Sequence, residues 1–191
     1  MNRPDDPDAS SPPGGSAPPG GSAPPARGTG QAPVGELTHL DERGHARMVD
    51  VAEKDVTRRM AVASCEVMMA PATARRLADG ALPKGDALPV ARIAGIQAAK
   101  RTPELIPLCH AVVLTSVEVE VEVDADGGRA TVTATAHATD RTGVEMEAMT
   151  ACGVAALTLY DLLKAVQRDV VITDLRLRRK TGGRSGSIEL P

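Results

Sequence analysis

The residues best able to move protons in this sequence lie near the end of one long apolar stretch. Asp161 and Lys164 are three positions apart, so on a helix they share one face. Leucines surround them, and we expect partly dry surroundings in which a carboxylate beside an ammonium group of shifted pKa suits proton transfer. The same spacing on a solvated surface would give an ordinary ion pair.

Two further carboxylates, Glu145 and Glu147, flank Met146 at the start of that stretch. If the backbone there is extended, both side chains point to one face, whereas on a helix they diverge. Such a pair could bind a guanine-like edge or serve acid–base chemistry. The alternative is that both are helix-start carboxylates, favoured there by the helix dipole.

Leu108, Cys109 and His110 form a third candidate segment. Neighbours on an extended chain point to opposite faces, so a nucleophilic Cys–His pair is not expected. The segment instead predicts a buried thiol and one functional imidazole, with a purely structural histidine as the alternative.

Basic residues next to glycines form the fourth candidate feature. Lys84 precedes a glycine and a predicted helix, and Lys180 and Arg184 lie in a glycine-rich stretch. Backbone N–H groups of such segments can bind an anion together with the cations. A solvated basic tail is the alternative. A GxxG clamp for RNA is disfavoured, because that motif joins two helices and here it follows a strand.

Alternating and helical patterns predict the elements that position these residues. Valine and glutamate alternate over residues 117–123 and, after an Asp/Gly turn, threonine alternates with small residues over 130–138, which predicts a β-hairpin. Further strands are predicted at 60–68 and 170–178, and helices at 72–79, 86–101 and 147–167. These elements predict an α+β fold, one antiparallel sheet covered by helices on one face.

Composition divides the chain into a tail and one domain. Residues 1–34 contain the repeated unit PPGGSA and are predicted to be a disordered Pro/Gly/Ser-rich tail, without the apolar core of a signal peptide. Residues 35–191 are predicted to form a single catalytic domain with no membrane span. Three widely spaced cysteines indicate neither disulfides nor a zinc site, and favour a reducing cytoplasm.

The same composition argues against a nucleic-acid partner. Phe and Trp are absent, there is one Tyr, and the formal net charge is −3. Single-stranded nucleic acids are usually bound by aromatic stacking and basic grooves.

Taken together and in order, the motifs resemble the cyclic pyranopterin monophosphate synthase family. The matching strings are GELTHL, MVDV, KGDALPVARIAGIQAAKRT, LIPLCH, TGVEMEAMTA, ALTLYDLLKAVQ and KTGGRSG. LIPLCH together with TGVEMEA is highly specific. Ala111 and Met149 depart from the usual family residues, but neither replaces a polar group.

The resemblance implies a lyase of molybdenum cofactor (molybdopterin) biosynthesis. It would convert 3′,8-cyclo-7,8-dihydro-GTP into cyclic pyranopterin monophosphate with release of diphosphate. Asp161 matches the family's active-site aspartate, Lys84 and Lys164 match lysines associated with proton transfer and phosphate stabilisation, and Lys180 matches a further basic position. The family's substrate-binding segments match Leu108, Cys109, His110, Met146 and Glu147, to which we add Glu145 from its spacing.

The resemblance also implies a ferredoxin-like fold and a homohexamer, a trimer of dimers, with sites at subunit interfaces. A functional link to the upstream radical SAM GTP cyclase follows. We expect no cofactor and no metal-ligand cluster, and leave open a phosphate-bound Mg²⁺. A non-catalytic ferredoxin-like nucleotide-sensing regulator is the alternative function.

Overall fold

The computed structural model describes residues 43–184 and 186–191. The predicted tail and residues 35–42, which include GELTHL, lie outside them. In chain order the elements are β1 (Thr57–Met68), α1 (Pro71–Ala78), α2 (Ala87–Ala99), α3 (Thr102–Leu105), β2 (Leu114–Asp124), β3 (Arg129–Asp140), α4 (Glu145–Leu163), β4 (Val171–Thr181) and β5 (Ile188–Glu189).

The strands form a single five-stranded sheet in the order β2-β3-β1-β4-β5. Every neighbouring pair is antiparallel. Helices connect β1 to β2 and β3 to β4, and β2 and β3 form a hairpin, so the first four strands have the βαββαβ order of a ferredoxin-like fold. The predicted α+β class and antiparallel sheet are confirmed.

The β2–β3 hairpin shows why alternation predicted the sheet correctly. Val119 is 3% exposed and faces the core, whereas Glu118 and Glu120 on either side of it are exposed. The glutamates of β2 are therefore a solvated face. On β3 the small residues at every second position, from Ala130 to Ala138, are buried against the helices.

Helices α2 and α4 pack on the sheet and on each other. Their approach is close at Gly95 of α2, where an added Cβ would lie 2.8 Å from the carbonyl oxygen of Ala151 on α4. The core is built mostly from small and aliphatic side chains, as the lack of Phe and Trp predicts. Asp86 caps α2 as predicted, since its carboxylate accepts a hydrogen bond from the N–H of Leu88 at 3.1 Å.

Helix α4 dominates the helical layer. By length and apolar composition alone it could cross a membrane, but half of its apolar stretch is buried inside the domain, where it packs on α2, β1 and β3. It begins at Glu145, two residues before the predicted start, and ends at Leu163. That shift makes the candidate carboxylates helical rather than extended.

Candidate active site

Asp161 lies between two lysines at the C-terminal end of α4. Its carboxylate is 2.6 Å from Lys164 Nζ and 2.9 Å from Lys84 Nζ. Hydrogen bonds from Lys164 and then Lys84 lower the pKa of Asp161 to about 2, and the same contact raises the pKa of Lys164. Asp161 and Lys164 are therefore both charged at neutral pH.

The predicted pair of Asp161 and Lys164 is present, but its surroundings are wetter than expected. The two side chains are 51% and 52% exposed in the single chain. The neighbouring leucines, Leu162 and Leu163, turn into the core instead of covering the carboxylate. Within one chain the group is thus a solvated ion triad, whose members lack the drier environment that a proton-transfer pair needs.

Lys84 reaches Asp161 from the loop between α1 and α2. The N–H of Gly85 donates to the carbonyl of Leu82 at 2.9 Å, and Gly85 has φ of 89°. This left-handed conformation favours glycine and closes the turn that carries Lys84. The Lys84 ammonium also donates to the backbone carbonyl of Asp161 at 3.3 Å. Sequence spacing could not reveal this contact across 77 positions.

The other end of α4 carries the two glutamates, which point in different directions. Glu145 accepts from Lys180 Nζ at 2.8 Å, and both side chains are little more than a quarter exposed. Lys180 is held on β4 opposite Ala61 of β1. The extended alternative, in which Glu145 and Glu147 share a face, is wrong because α4 begins at Glu145.

Glu147 is fully buried and lacks a full set of partners. Its Oε1 atom lies 3.6 Å from Cys109 Sγ, and its Oε2 atom has no hydrogen-bond partner among the described residues. Burial raises the pKa of Glu147 above its ordinary value. Burial, followed by the proximity of Glu147, raises the pKa of Cys109 to about 11. Glu147 therefore keeps its proton to higher pH than an ordinary glutamate, and the protonated carboxyl can donate a proton as well as accept a hydrogen bond.

Cys109 and His110 contact different partners, as expected for neighbours on an extended segment. While Cys109 points to Glu147, His110 Nε2 lies 2.7 Å from the carbonyl oxygen of Val49. A carbonyl only accepts, so His110 carries its proton on Nε2. This contact ties the MVDV segment to the LIPLCH segment and orients the half-buried imidazole.

A cavity of about 240 Å³ lies between these segments. Six of the seven predicted substrate-binding residues line it, and the seventh, Lys180, bonds one of the six, Glu145. Its lining residues are Leu108, Cys109, His110, Thr142, Gly143, Glu145, Met146 and Glu147. We call it the carboxylate cavity.

A second cavity, of about 460 Å³, adjoins the carboxylate cavity at Thr142 and Gly143. Four cations line it: Lys54, Arg59, Arg141 and Arg184. We call it the arginine cavity.

Two of its arginines are held by backbone carbonyls. The Arg59 guanidinium donates to the carbonyls of Asp140 and Arg141, both at 3.1 Å. The Arg141 guanidinium donates to the carbonyl of Ala52 at 2.6 Å. Of these four cations, only Arg184 was singled out from the sequence. The run Arg141-Thr142-Gly143, which precedes the two glutamates, could have indicated Arg141 as well.

The Asp161 triad and the carboxylate cavity do not meet within one chain. Their residues occupy opposite ends of α4, a continuous helix from Glu145 to Leu163. A third cavity, of about 320 Å³, lies at the triad end, lined by Lys84, Tyr160, Lys164, Ala165 and Arg168. We call it the triad cavity.

No group of three or more His, Cys, Asp or Glu side chains placed to hold a metal ion occurs within residues 43–184 and 186–191. Cys65, Cys109 and Cys152 are all free thiols. Cys65 and Cys152 are fully buried in the core, with their sulfurs 3.3 Å apart.

A family model and the curated relatives agree on one family. A family model described as MoaC matches residues 48–183. A cyclic pyranopterin monophosphate synthase of Roseiflexus sp. (strain RS-1) is 57% identical over 153 residues, which cover 80% of this chain and 97% of that protein. Proteins of the same name from Streptomyces coelicolor and Roseiflexus castenholzii are 56% and 58% identical, covering 83% and 81% of this chain and 92% and 98% of their own lengths.

Proposed function

The chain belongs to the MoaC family, and on that basis we propose that it converts 3′,8-cyclo-7,8-dihydro-GTP into cyclic pyranopterin monophosphate and diphosphate. It is then a lyase of molybdenum cofactor biosynthesis. The similarity carries this assignment, because relatives with that name are 56–58% identical along 92–98% of their own lengths. The carboxylate cavity supports it, because it is lined by the LIPLCH and TGVEMEA segments.

The carboxylate cavity binds the guanine-derived ring system. Ring N–H groups donate to the Glu145 carboxylate and to the unpartnered Oε2 of Glu147. Opening and closing a purine-derived ring requires both a proton donor and a proton acceptor. Glu147 is the donor, since burial raises the pKa of its carboxyl and so favours the protonated form.

Asp161 accepts the proton that is lost when the cyclic phosphate forms. A ribose-derived hydroxyl attacks the α-phosphorus, and the bond from that phosphorus to the oxygen bridging to the β-phosphate breaks. Diphosphate leaves with the electron pair, and Lys84 and Lys164 stabilise its charge. Phosphates that draw the lysines away from Asp161 also remove the contacts that hold its pKa near 2, so the carboxylate becomes a stronger base.

Each active site is formed by two subunits. Glu147 from one subunit and Asp161 from its two-fold mate approach one substrate, because one α4 helix cannot bring them together. Aliphatic side chains on the helical layer support such an interface: Val90 is 47% exposed, Ile93 61% and Leu157 60%. The assembly proposed is the hexameric trimer of dimers.

The chemistry needs no resident redox cofactor, since the rearrangement and the loss of diphosphate transfer no electrons to another molecule. A Mg²⁺ ion would enter with the phosphates of the substrate. We place the enzyme in the cytoplasm, where a radical SAM GTP cyclase supplies its substrate.

The direct test supplies the full-length protein with 3′,8-cyclo-7,8-dihydro-GTP and measures diphosphate and the pterin product. We expect both to form in equal amounts, with many turnovers per subunit. Tight binding of that compound with no diphosphate released would contradict the proposal and indicate a nucleotide-sensing protein.

A further inference from the structure

The triad cavity contains a third cation that the Asp161 triad does not account for. Arg168 lines this cavity with Lys84 and Lys164. Its guanidinium makes no hydrogen bond or ion pair with any residue in the described ranges, whereas both lysines are bound to Asp161. The two lysines and the aspartate together carry one net positive charge, and Arg168 doubles it.

The turn that carries Arg168 is held in place. The Tyr160 hydroxyl on α4 donates to the carbonyl of Arg168 at 3.1 Å. One residue earlier, the Gln167 side chain accepts from the N–H of Ala70 at 2.9 Å. Tyr160 itself lines the triad cavity. The only aromatic residue of the chain therefore joins α4 to the turn that follows it and fixes the backbone from which the arginine projects.

The chemistry of these groups matches a phosphate chain better than a single carboxylate. A guanidinium offers two parallel N–H donors to phosphate oxygens, while ammonium groups act as point charges. A multiply charged anion can bridge Arg168 and the two lysines, since all three cations line the same cavity. The wall contributed by Ala165 carries no competing charge.

We propose that Arg168 binds the leaving diphosphate, and that Tyr160 is a positioning residue that acts through it. This inference rests on the proposed function. It names a residue that controls how tightly the diphosphate product is held. In the assembled site the retained α-phosphate lies toward Lys180, and the β- and γ-phosphates lie in the triad cavity. The arginine cavity is the competing location for those two phosphates.

The test measures binding of inorganic diphosphate to the full-length protein by calorimetry. Arg168→Ala should weaken binding about tenfold, the effect of losing one charge-assisted hydrogen bond, and Arg168→Lys should fall between it and the parent. Arg76→Ala is the matched control, since Arg76 is an exposed arginine on α1, and it should bind like the parent. Unchanged binding in Arg168→Ala, with weaker binding in Arg141→Ala or Arg184→Ala, would overturn the proposal and place the diphosphate in the arginine cavity.

Tyr160→Phe tests the positioning role. It keeps the ring but loses the bond to the Arg168 carbonyl, so diphosphate binding should weaken by about twofold to fivefold. In an Arg168→Ala background the same change should have no further effect on diphosphate binding, because the group it positions is gone. An equal loss in both backgrounds would contradict the positioning role.

Kinetics separate this inference from the proposed function. With the cyclised GTP substrate, Arg168→Ala should raise KM and the inhibition constant for diphosphate more than it lowers kcat. A parent protein that makes no product would refute the proposed function regardless of Arg168. An active parent whose Arg168→Ala variant keeps the parent's diphosphate inhibition would refute only the role of Arg168.

Discussion

Glu147 and Asp161 lie on one continuous helix, fourteen residues apart, with Glu147 buried at one end and Asp161 half exposed at the other. At 1.5 Å per residue their backbones are separated by about 21 Å along the axis. Their pKa values are shifted in opposite directions, upward for Glu147 and downward for Asp161. Each chain thus carries two carboxyl groups with opposite pKa shifts, and they are too far apart to act on one small ring system.

Replacing Asp161 by Asn should abolish most turnover while ligand binding survives. The amide keeps the shape of the carboxylate but cannot take a proton, so kcat should fall about a hundredfold or more. Because the triad is half exposed, the melting temperature should change little. Turnover near that of the parent in steady-state assays would remove Asp161 from the reaction.

Replacing Glu147 by Gln should make stability less dependent on pH. The unfolded chain loses this proton near its ordinary pKa of 4.5, whereas the folded chain holds it to higher pH. Between those two values the folded state binds more protons, so the parent loses stability as pH rises through this window, and Gln, which stays neutral, does not.

Thermal unfolding of both proteins from pH 4 to pH 8 checks this. The melting temperature of the variant minus that of the parent should increase with pH. The increase should be about 2–4 °C for each kcal/mol of unfolding free energy that the parent loses. A constant difference across that range would show that Glu147 ionises normally in the folded protein.

Cys109 should react slowly with alkylating agents. Its pKa of about 11 leaves roughly one thiol in a thousand ionised at pH 8, and only the thiolate reacts. Iodoacetamide labelling, followed by mass spectrometry of the Cys109 peptide, should accelerate as pH rises toward 11. A Cys109→Ser control should show no labelling of the native protein, because Cys65 and Cys152 are buried. Labelling of Cys109 at the rate of a free cysteine at pH 8 would contradict the raised pKa.

Removing either of the two lysines proposed to bind phosphate should weaken binding of a GTP-like ligand. Lys84→Ala and Lys180→Ala should each lower affinity about tenfold and reduce its dependence on salt, since one charged contact is lost. Lys100→Ala is the matched control, because Lys100 is an exposed residue that caps the C-terminus of α2. Parent-like affinity at every salt concentration in both variants would place the phosphates elsewhere.

Local patterns predicted the elements well, because strand alternation and helix capping act between residues close in sequence. The β2–β3 hairpin and the Asp86 cap are examples. The contact of Lys84 with Asp161 was not predictable, since it depends on how the α1–α2 loop docks on α4. The position of Arg59 was not predictable either. Its guanidinium is held by backbone carbonyls, and because every residue has one, such contacts leave no pattern in the sequence. The start of α4 was placed two residues late because Glu145 fits both a helix start and an extended chain.

The measurement that tests the two-subunit active site most directly mixes two inactive proteins. Glu147→Ala and Asp161→Ala proteins are combined under conditions that allow subunit exchange, which native mass spectrometry of differently tagged chains verifies. In an equal mixture random pairing places one subunit of each variant at about half of the two-fold interfaces, and one of the two sites at each such interface keeps both residues. About a quarter of all sites are then intact, so formation of diphosphate and pterin product from the cyclised GTP substrate should recover to about a quarter of the parent rate. Either variant exchanged with itself should stay inactive. No recovery despite proven exchange would show that each subunit builds its own site, and would contradict the account.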